Sequence, residues 1–215
     1  MRIGILGSGL MGGKLGTLFA RAGHHVVFSY ARSPRKLERL ARAAGPRASA
    51  GTVREATSAS DVLLLAVHWS RMDDVLKQAG PLRGKVVVSC SLPMSADDGE
   101  LVVAHTSSGA EVLAKRLRGA HFTAAFGTIP SEVLFDVFAR RRRKPRPSML
   151  FCGDDATARR TVTRLIRDLG FDPVDAGPLR SARFLEPFTL LIARLAYEGK
   201  RGPRLAYRFQ WMERP

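Results

Sequence analysis

Residues 7 to 12 read Gly-Ser-Gly-Leu-Met-Gly, a G-x-G-x-x-G string set between the apolar run Ile3 to Leu6 and a helical pattern. On its own the string is weak. Between a strand and a helix, at the start of a βαβ unit, it commits the chain to a dinucleotide-binding turn. Gly7 permits the tight turn, Gly9 lets the backbone approach a pyrophosphate, and Gly12 lets helix and strand pack closely. Ser8, Leu10 and Met11 complete the turn at the helix N-terminus, where free N–H groups and a partial positive charge favour phosphate.

About 20 residues beyond such a turn, an acidic residue would bind the ribose of NAD. This chain has none there: Ser29 to Lys36 reads Ser-Tyr-Ala-Arg-Ser-Pro-Arg-Lys. Arg32 stands near the expected place and Lys36 one helical turn on. A guanidinium there suits a 2′-phosphate, which a carboxylate would repel. The expected cofactor is NADP rather than NAD; an ordinary solvated helix start is the bland alternative for these charges.

Short aliphatic runs alternate with helical patterns along the rest of the chain, the mark of an α/β fold with a parallel sheet. Strands are expected at 2–6, 25–29, 48–50, 61–67, 85–90, 121–126, 148–152 and 172–175. The 61–67 run (DVLLLAV) is continuously apolar, as a parallel strand covered on both faces should be. Helices are expected at 11–22, from Ser33-Pro34 to Gly45, after the capping box Thr52-x-x-Glu55, after a Ser70-x-x-Asp73 cap, and at 108–117 and 155–169. A last helix from about Ser181 should bury Leu185, Phe188, Ile192 and Leu195, with Pro187 kinking its start. The proline-broken run Arg140 to Pro147 is expected to be a loop. It divides the chain into a nucleotide-binding domain (1–139), the basic loop (140–147) and a small C-terminal α/β extension (148–215). The expected fold class is a Rossmann-type doubly wound parallel sheet carrying that extension.

Lys and Arg exceed Asp and Glu by 35 to 19, a net charge of +16 that favours a polyanionic partner without choosing its kind. With 45% hydrophobic and 25% charged residues, disorder and collagen are excluded. Cys90 and Cys152 form no Cys-x-x-Cys pair, which argues against a metal cluster or a disulfide framework. No apolar run approaches the roughly 18 residues of a spanning helix. With no secretory pattern at the N-terminus, the expected setting is a reducing cytoplasm, with no membrane association.

Several segments outside the turn make the chain resemble the NADPH-dependent reductases of the deazaflavin coenzyme F-420. They are Ala31-Arg32-Ser33-Pro34, Val67-His68-Trp69, Ala104 to Glu111 and Thr128-Ile129-Pro130. The most specific run is Cys152-Gly153-Asp154-Asp155, then Asp175-Ala176-Gly177-Pro178-Leu179, with Ser181, Arg183 and Glu186 following. The resemblance spans nearly the whole chain. It implies a homodimer in which a hydride passes between a nicotinamide and a deazaflavin stacked face to face. By that pattern Gly7 to Gly12 hold the pyrophosphate, and Arg32, Ser33 and Lys36 the 2′-phosphate. Val67 and His68 border the nicotinamide, and Thr128 to Pro130 mark the meeting point of the rings. Three positions depart from the family: Ala31 replaces a serine, His68 a proline, and Gly127 a histidine or asparagine.

Three segments should converge outside the carboxyl ends of the strands, where a doubly wound sheet binds its ligands. The second-substrate site is therefore expected at Trp69, Leu92, Pro93, Gly127, Thr128, Ile129 and Pro130. No catalytic acid or base is expected, because hydride transfer between cofactors needs alignment more than proton transfer. His68 is a weak candidate for such a role and His105 another. Asp154-Asp155 reads as a helix start and Asp97-Asp98 as a loop, so no metal is expected. The arginine run lacks the stacking aromatics of a nucleic-acid patch, and the expected partner is a small redox molecule. A relative of the β-hydroxyacid dehydrogenases or imine reductases would append a long helical domain, for which the stretch after residue 147 is too short. The competing function is a non-catalytic NADP(H)-binding sensor or regulator.

Overall fold

The computed structural model describes residues 1–212, so the last three residues of the expected 148–215 extension lie outside the described part. Eight strands form one sheet: β1 (Arg2–Leu6), β2 (His25–Ser29), β3 (Ala48–Ala50), β4 (Val62–Leu65), β5 (Val86–Ser89), β6 (His121–Ala125), β7 (Ser148–Cys152) and β8 (Asp172–Asp175). Their spatial order is β3-β2-β1-β4-β5-β6-β7-β8. The order reverses between β1 and β4, which pair in parallel from Ile3 opposite Val62 to Leu6 opposite Leu65. This is the Rossmann-type arrangement, and the crevice beyond that pair is where such sheets bind ligands.

Eight α-helices cover the two faces: α1 (Leu10–Arg21), α2 (Pro34–Ala44), α3 (Val53–Ala59), α4 (Met72–Ala79), α5 (Gly109–Arg116), α6 (Leu134–Ala139), α7 (Ala156–Asp168) and α8 (Ala182–Tyr197). Alternation along the strands decides which face each residue serves. Leu64 joins the core under α1, α2, α6 and α7, whereas Leu63 and Leu65 join the core under α3, α4, α5 and the start of α8. Phe19, Phe28 and Phe126 fill the first core, all fully buried.

The sheet is parallel except at one junction, where β7 runs antiparallel to β6. After β6 the chain makes a 3-10 turn at Ser131–Val133, the six-residue α6 and the 140–147 loop, and β7 then begins beyond the end at which β6 finishes, with Ala125 opposite Phe151 and Ala124 opposite Cys152. The longer α7 then returns the chain, and β8 pairs with β7 in parallel.

Three local expectations are corrected. Helix α6 was not expected, although Leu134 and Phe138 stand at helical spacing and are buried on α1's side. Ser70 does not cap α4: the chain first makes a 3-10 turn at Trp69–Arg71, capped by the His68 ring accepting from the Ser70 N–H. On α8 the buried face is Ala182, Glu186, Thr189, Ile192 and Ala196, and Leu195 is 54% exposed. This face departs from the apolar stripe because it buries polar groups with partners of their own. Glu186 is bound by α5, and the Thr189 hydroxyl donates to the Leu185 carbonyl. The capping box at Thr52 and Glu55 is present as expected.

Candidate functional site

The β1–β4 register brings Gly7 beside Ala66. Gly7 has φ +118°, and a Cβ there would run into the Ala66 carbonyl, so the turn requires glycine. Gly12 faces inward, where a Cβ would collide with the Gly7 carbonyl; it sets the close approach of α1 to the strand. Gly9 differs from both. It is the N-cap of α1, has no side chain to satisfy the first-turn N–H groups, and has open space where a Cβ would stand. The first turn of α1 carries no acidic residue. A helix start with free donors, no capping side chain and an open approach is a phosphate cradle.

This turn forms one end of a cleft of about 1300 Å³. Gly7, Ser8, Gly9 and Leu10 line it, as do Arg32 and Lys36 from the start of α2 and Val67 and His68 beyond β4. Ser33 is the N-cap of α2, yet its side chain makes no capping hydrogen bond. Among the described residues its hydroxyl has no hydrogen-bond partner, and Ser33 itself does not line the cleft that its neighbours Arg32 and Pro34 line. Of the other turn residues, Met11 packs partly buried against the core instead of lining the cleft. These residues fit a dinucleotide carrying an extra phosphate: a donor-rich helix start for one anionic group and a cationic pair for another.

Sequence reasoning missed the opposite wall. Tyr30 follows β2 directly with φ +56°, a strained value for a residue with a large side chain. Its hydroxyl donates to Asp74 of α4 at 2.6 Å. Burial, then the bond to Asp74, push the Tyr30 hydroxyl up to about 12, so it remains a neutral donor. Arg71 and Gln78 complete this wall.

The expected second-substrate residues divide. Leu92, Gly127 and Thr128 meet around a small cavity of about 30 Å³ behind β5 and β6, which α8 closes with Leu185, Glu186 and Thr189. Trp69 packs instead against the core under α3 and α4, and Pro93 against Gly109. Ile129 is in the main core and Pro130 is buried. The side of Gly127 that would carry a side chain faces Cys90 and Thr189, with the Cys90 carbonyl 3.5 Å from an added Cβ. Burial pushes the Cys90 thiol up to about 12, so it lines the cavity as a neutral group.

Glu186 is the cavity's carboxylate. It is 6% exposed and accepts from the backbone N–H groups of Gly109 and Ala110, each at 2.9 Å, at the start of α5. Burial raises its carboxyl to about 7 against the pull of those two bonds. A signal was available in the sequence: Glu186 and Thr189 are polar at helical spacing amid apolar residues. His105 lines none of these walls, while Asp154 accepts from the Leu179 N–H and Asp155 caps α7. Among the described residues no group of three His, Cys, Asp or Glu is placed to hold a metal. No described helix is long and apolar enough to cross a membrane.

Strand order, glycine turn and a cleft that holds Arg32 and Lys36 beside that turn together define a dinucleotide-binding domain of the Rossmann type. Residues 2–93, somewhat under half of the chain, match the family described as NADP oxidoreductase, coenzyme F420-dependent. The metalloreductase STEAP3 of Rattus norvegicus is 32% identical over 192 residues, covering 88% of this chain and 36% of that protein. The chain thus spans little more than a third of the length of this curated relative. A crystal structure from Arthrobacter sp. FB24, proposed to be an F420-dependent NADP reductase, superposes with a TM-score of 0.85 at 21% identity, covering 98% of this chain and all of that one. A reductive aminase from Aspergillus terreus in complex with NADPH and ethyl-5-oxohexanoate gives a TM-score of 0.65 at 20% identity, covering 88% and 60%. At those identities the two structures establish the shared fold.

Proposed function

We propose that the chain binds NADP(H) in the large cleft and transfers a hydride between it and a flat heteroaromatic acceptor, a deazaflavin of the coenzyme F-420 type or a flavin. The observation that carries this reading is the joint placement of the glycine turn, Arg32 and Lys36 in one cleft, with no carboxylate at the end of β2. The family match at 2–93 supports the cofactor, and the family's description supports the deazaflavin. When bound, NADPH supplies the hydride. The helix start of α1 binds the pyrophosphate, Arg32, Ser33 and Lys36 bind the 2′-phosphate, and Val67 and His68 orient the nicotinamide toward Leu92, Gly127 and Thr128. No side chain needs to move a proton during the transfer.

A cavity of about 30 Å³ accommodates a water, not a ring system, so the acceptor requires α8 to shift away from Gly127. That small volume is also what favours the second reading, an NADP(H)-binding sensor. Loss of NADPH absorbance distinguishes the two. Stoichiometric oxidation on adding F-420 or FMN supports the enzyme and names its acceptor; tight NADPH binding with no turnover by either supports the sensor. The homodimer implied by the family resemblance is assigned to the outer face of α8, where Phe184, Leu191 and Leu195 form an exposed apolar stripe. Light scattering should show a dimer that Leu191→Asp converts to monomer.

A further inference from the structure

The fold sorts the basic run 140–146 into separate tasks. The Arg141 guanidinium stacks 4.2 Å from the Phe138 ring centroid and donates to the Phe138 carbonyl, so it serves the end of α6. Arg140, Arg143 and Arg146 instead line a pocket of about 300 Å³ between α6, the entry to β7 and Gly170, together with Arg204 from the C-terminal segment. The pocket's single carboxylate, Asp136, is already bound by Arg204 at 2.6 Å. Among the described residues, Arg140, Arg143 and Arg146 form no ion pair. The Nε of Arg146 is buried and, among those residues, has no hydrogen-bond partner.

Three uncompensated guanidinium groups around one concavity repel each other, and a buried N–H without an acceptor carries a desolvation cost. Both are relieved by an anion with several oxygens, which guanidinium forks bind in pairs of parallel hydrogen bonds. We propose that this pocket is a second anion site, separate from the nucleotide cleft, for a small polyanion: a phosphoryl group or a polycarboxylate. The two cavities share no lining residue, and the proposal does not rest on the reading of the cleft. The volume suits a pyrophosphate or a tricarboxylate and excludes a whole dinucleotide.

The test is calorimetric titration of pyrophosphate and, separately, citrate into the full chain already saturated with NADP⁺, whose own binding is recorded first. Binding of either probe in the saturated protein is expected, weakening steeply with added sodium chloride and at least about ten-fold in Arg143→Glu. The exposed position of Arg143 leaves folding undisturbed, and NADP⁺ affinity should be unchanged in the variant. Arg143→Lys should recover part of the loss, because it keeps the charge and not the fork. Pyrophosphate binding without citrate binding identifies a phosphoryl ligand, and the reverse a polycarboxylate. The proposal is overturned if neither probe binds at millimolar concentration, if binding vanishes once NADP⁺ is present, or if Arg143→Glu leaves it unchanged. Failure of NADP⁺ itself to bind would count against the cleft reading alone.

Discussion

His68 Nε2 lies 3.0 Å from Asp98 Oδ1, joining the segment beyond β4 to the loop that follows β5. Both residues line the nucleotide cleft, so this bond straps its mouth. The loop is held in shape by the Met94–Leu101 bridge and by Asp97, which accepts from the Ser95 hydroxyl and the Gly99 N–H. Asp98→Ala removes the strap and leaves the cleft walls intact. An exposed pair contributes little, so NADPH should dissociate faster by no more than about five-fold in stopped-flow fluorescence. An unchanged rate would show that the loop does not close over the cofactor.

Arg32→Ala should separate the two nicotinamide cofactors. On the proposed function it removes a charge-assisted contact to the 2′-phosphate worth about 1.5–3 kcal/mol, and NADPH affinity should fall roughly ten- to hundred-fold. NADH has no such phosphate and should bind as before. Equal losses for both would make Arg32 a structural residue of the α2 start.

Gly127→Asn probes the small cavity. The Cβ fits at ordinary contact distance, and the amide would then reach toward Thr189 and fill the remaining space. Acceptor turnover should drop while NADPH affinity stays within about a factor of two, the pattern of a contact made only during the reaction. Unchanged kinetics with every acceptor would put the reacting rings elsewhere.

Glu186 gives the protein a pH-dependent stability term. Its folded-state carboxyl, raised by burial to about 7, binds a proton more tightly than in the unfolded chain. The stabilisation is complete below the unfolded value near 4.3 and is lost as pH rises toward 7. Neighbouring Glu111 adds to the rise, and Arg183 holds Glu111 ionised through two hydrogen bonds. His24 works the other way: burial, then the nearby N-terminus, lower its pKa, and its contribution is lost as pH falls below 6.5. Comparing thermal midpoints of the parent and Glu186→Gln between pH 5 and 7 cancels the His24 effect. The parent should lose stability with rising pH relative to the variant. Parallel curves would mean that Glu186 titrates as a free carboxylate.

Much of this architecture was legible because it is carried by local chemistry. Ile3 to Leu6 and Val62 to Leu65 read as buried strands from composition alone, and Thr52 with Glu55 announced a helix start that is present. The errors fall where a residue's partner is distant in the chain. On α8 Leu195 is exposed where the apolar stripe predicts burial, and Glu186 is buried because the N–H groups that hold it belong to α5. Short α6 is not legible in the sequence because six residues make fewer than two helical turns.

By itself the sequence determined the glycine turn, since steric freedom at Gly7 is a property of a single position, and the absence of an acid after β2 is likewise the single-position ground for the proposed cofactor. It likewise determined the alternation that builds the doubly wound sheet. Only the tertiary structure decided that β7 joins that sheet antiparallel, that α8 shuts the cavity beside Gly127, and that the arginines of 140–146 divide between a stacking contact and a pocket. Those outcomes depend on which elements meet across long sequence separations. Burial and charge compensation are set there by neighbours that no local pattern names.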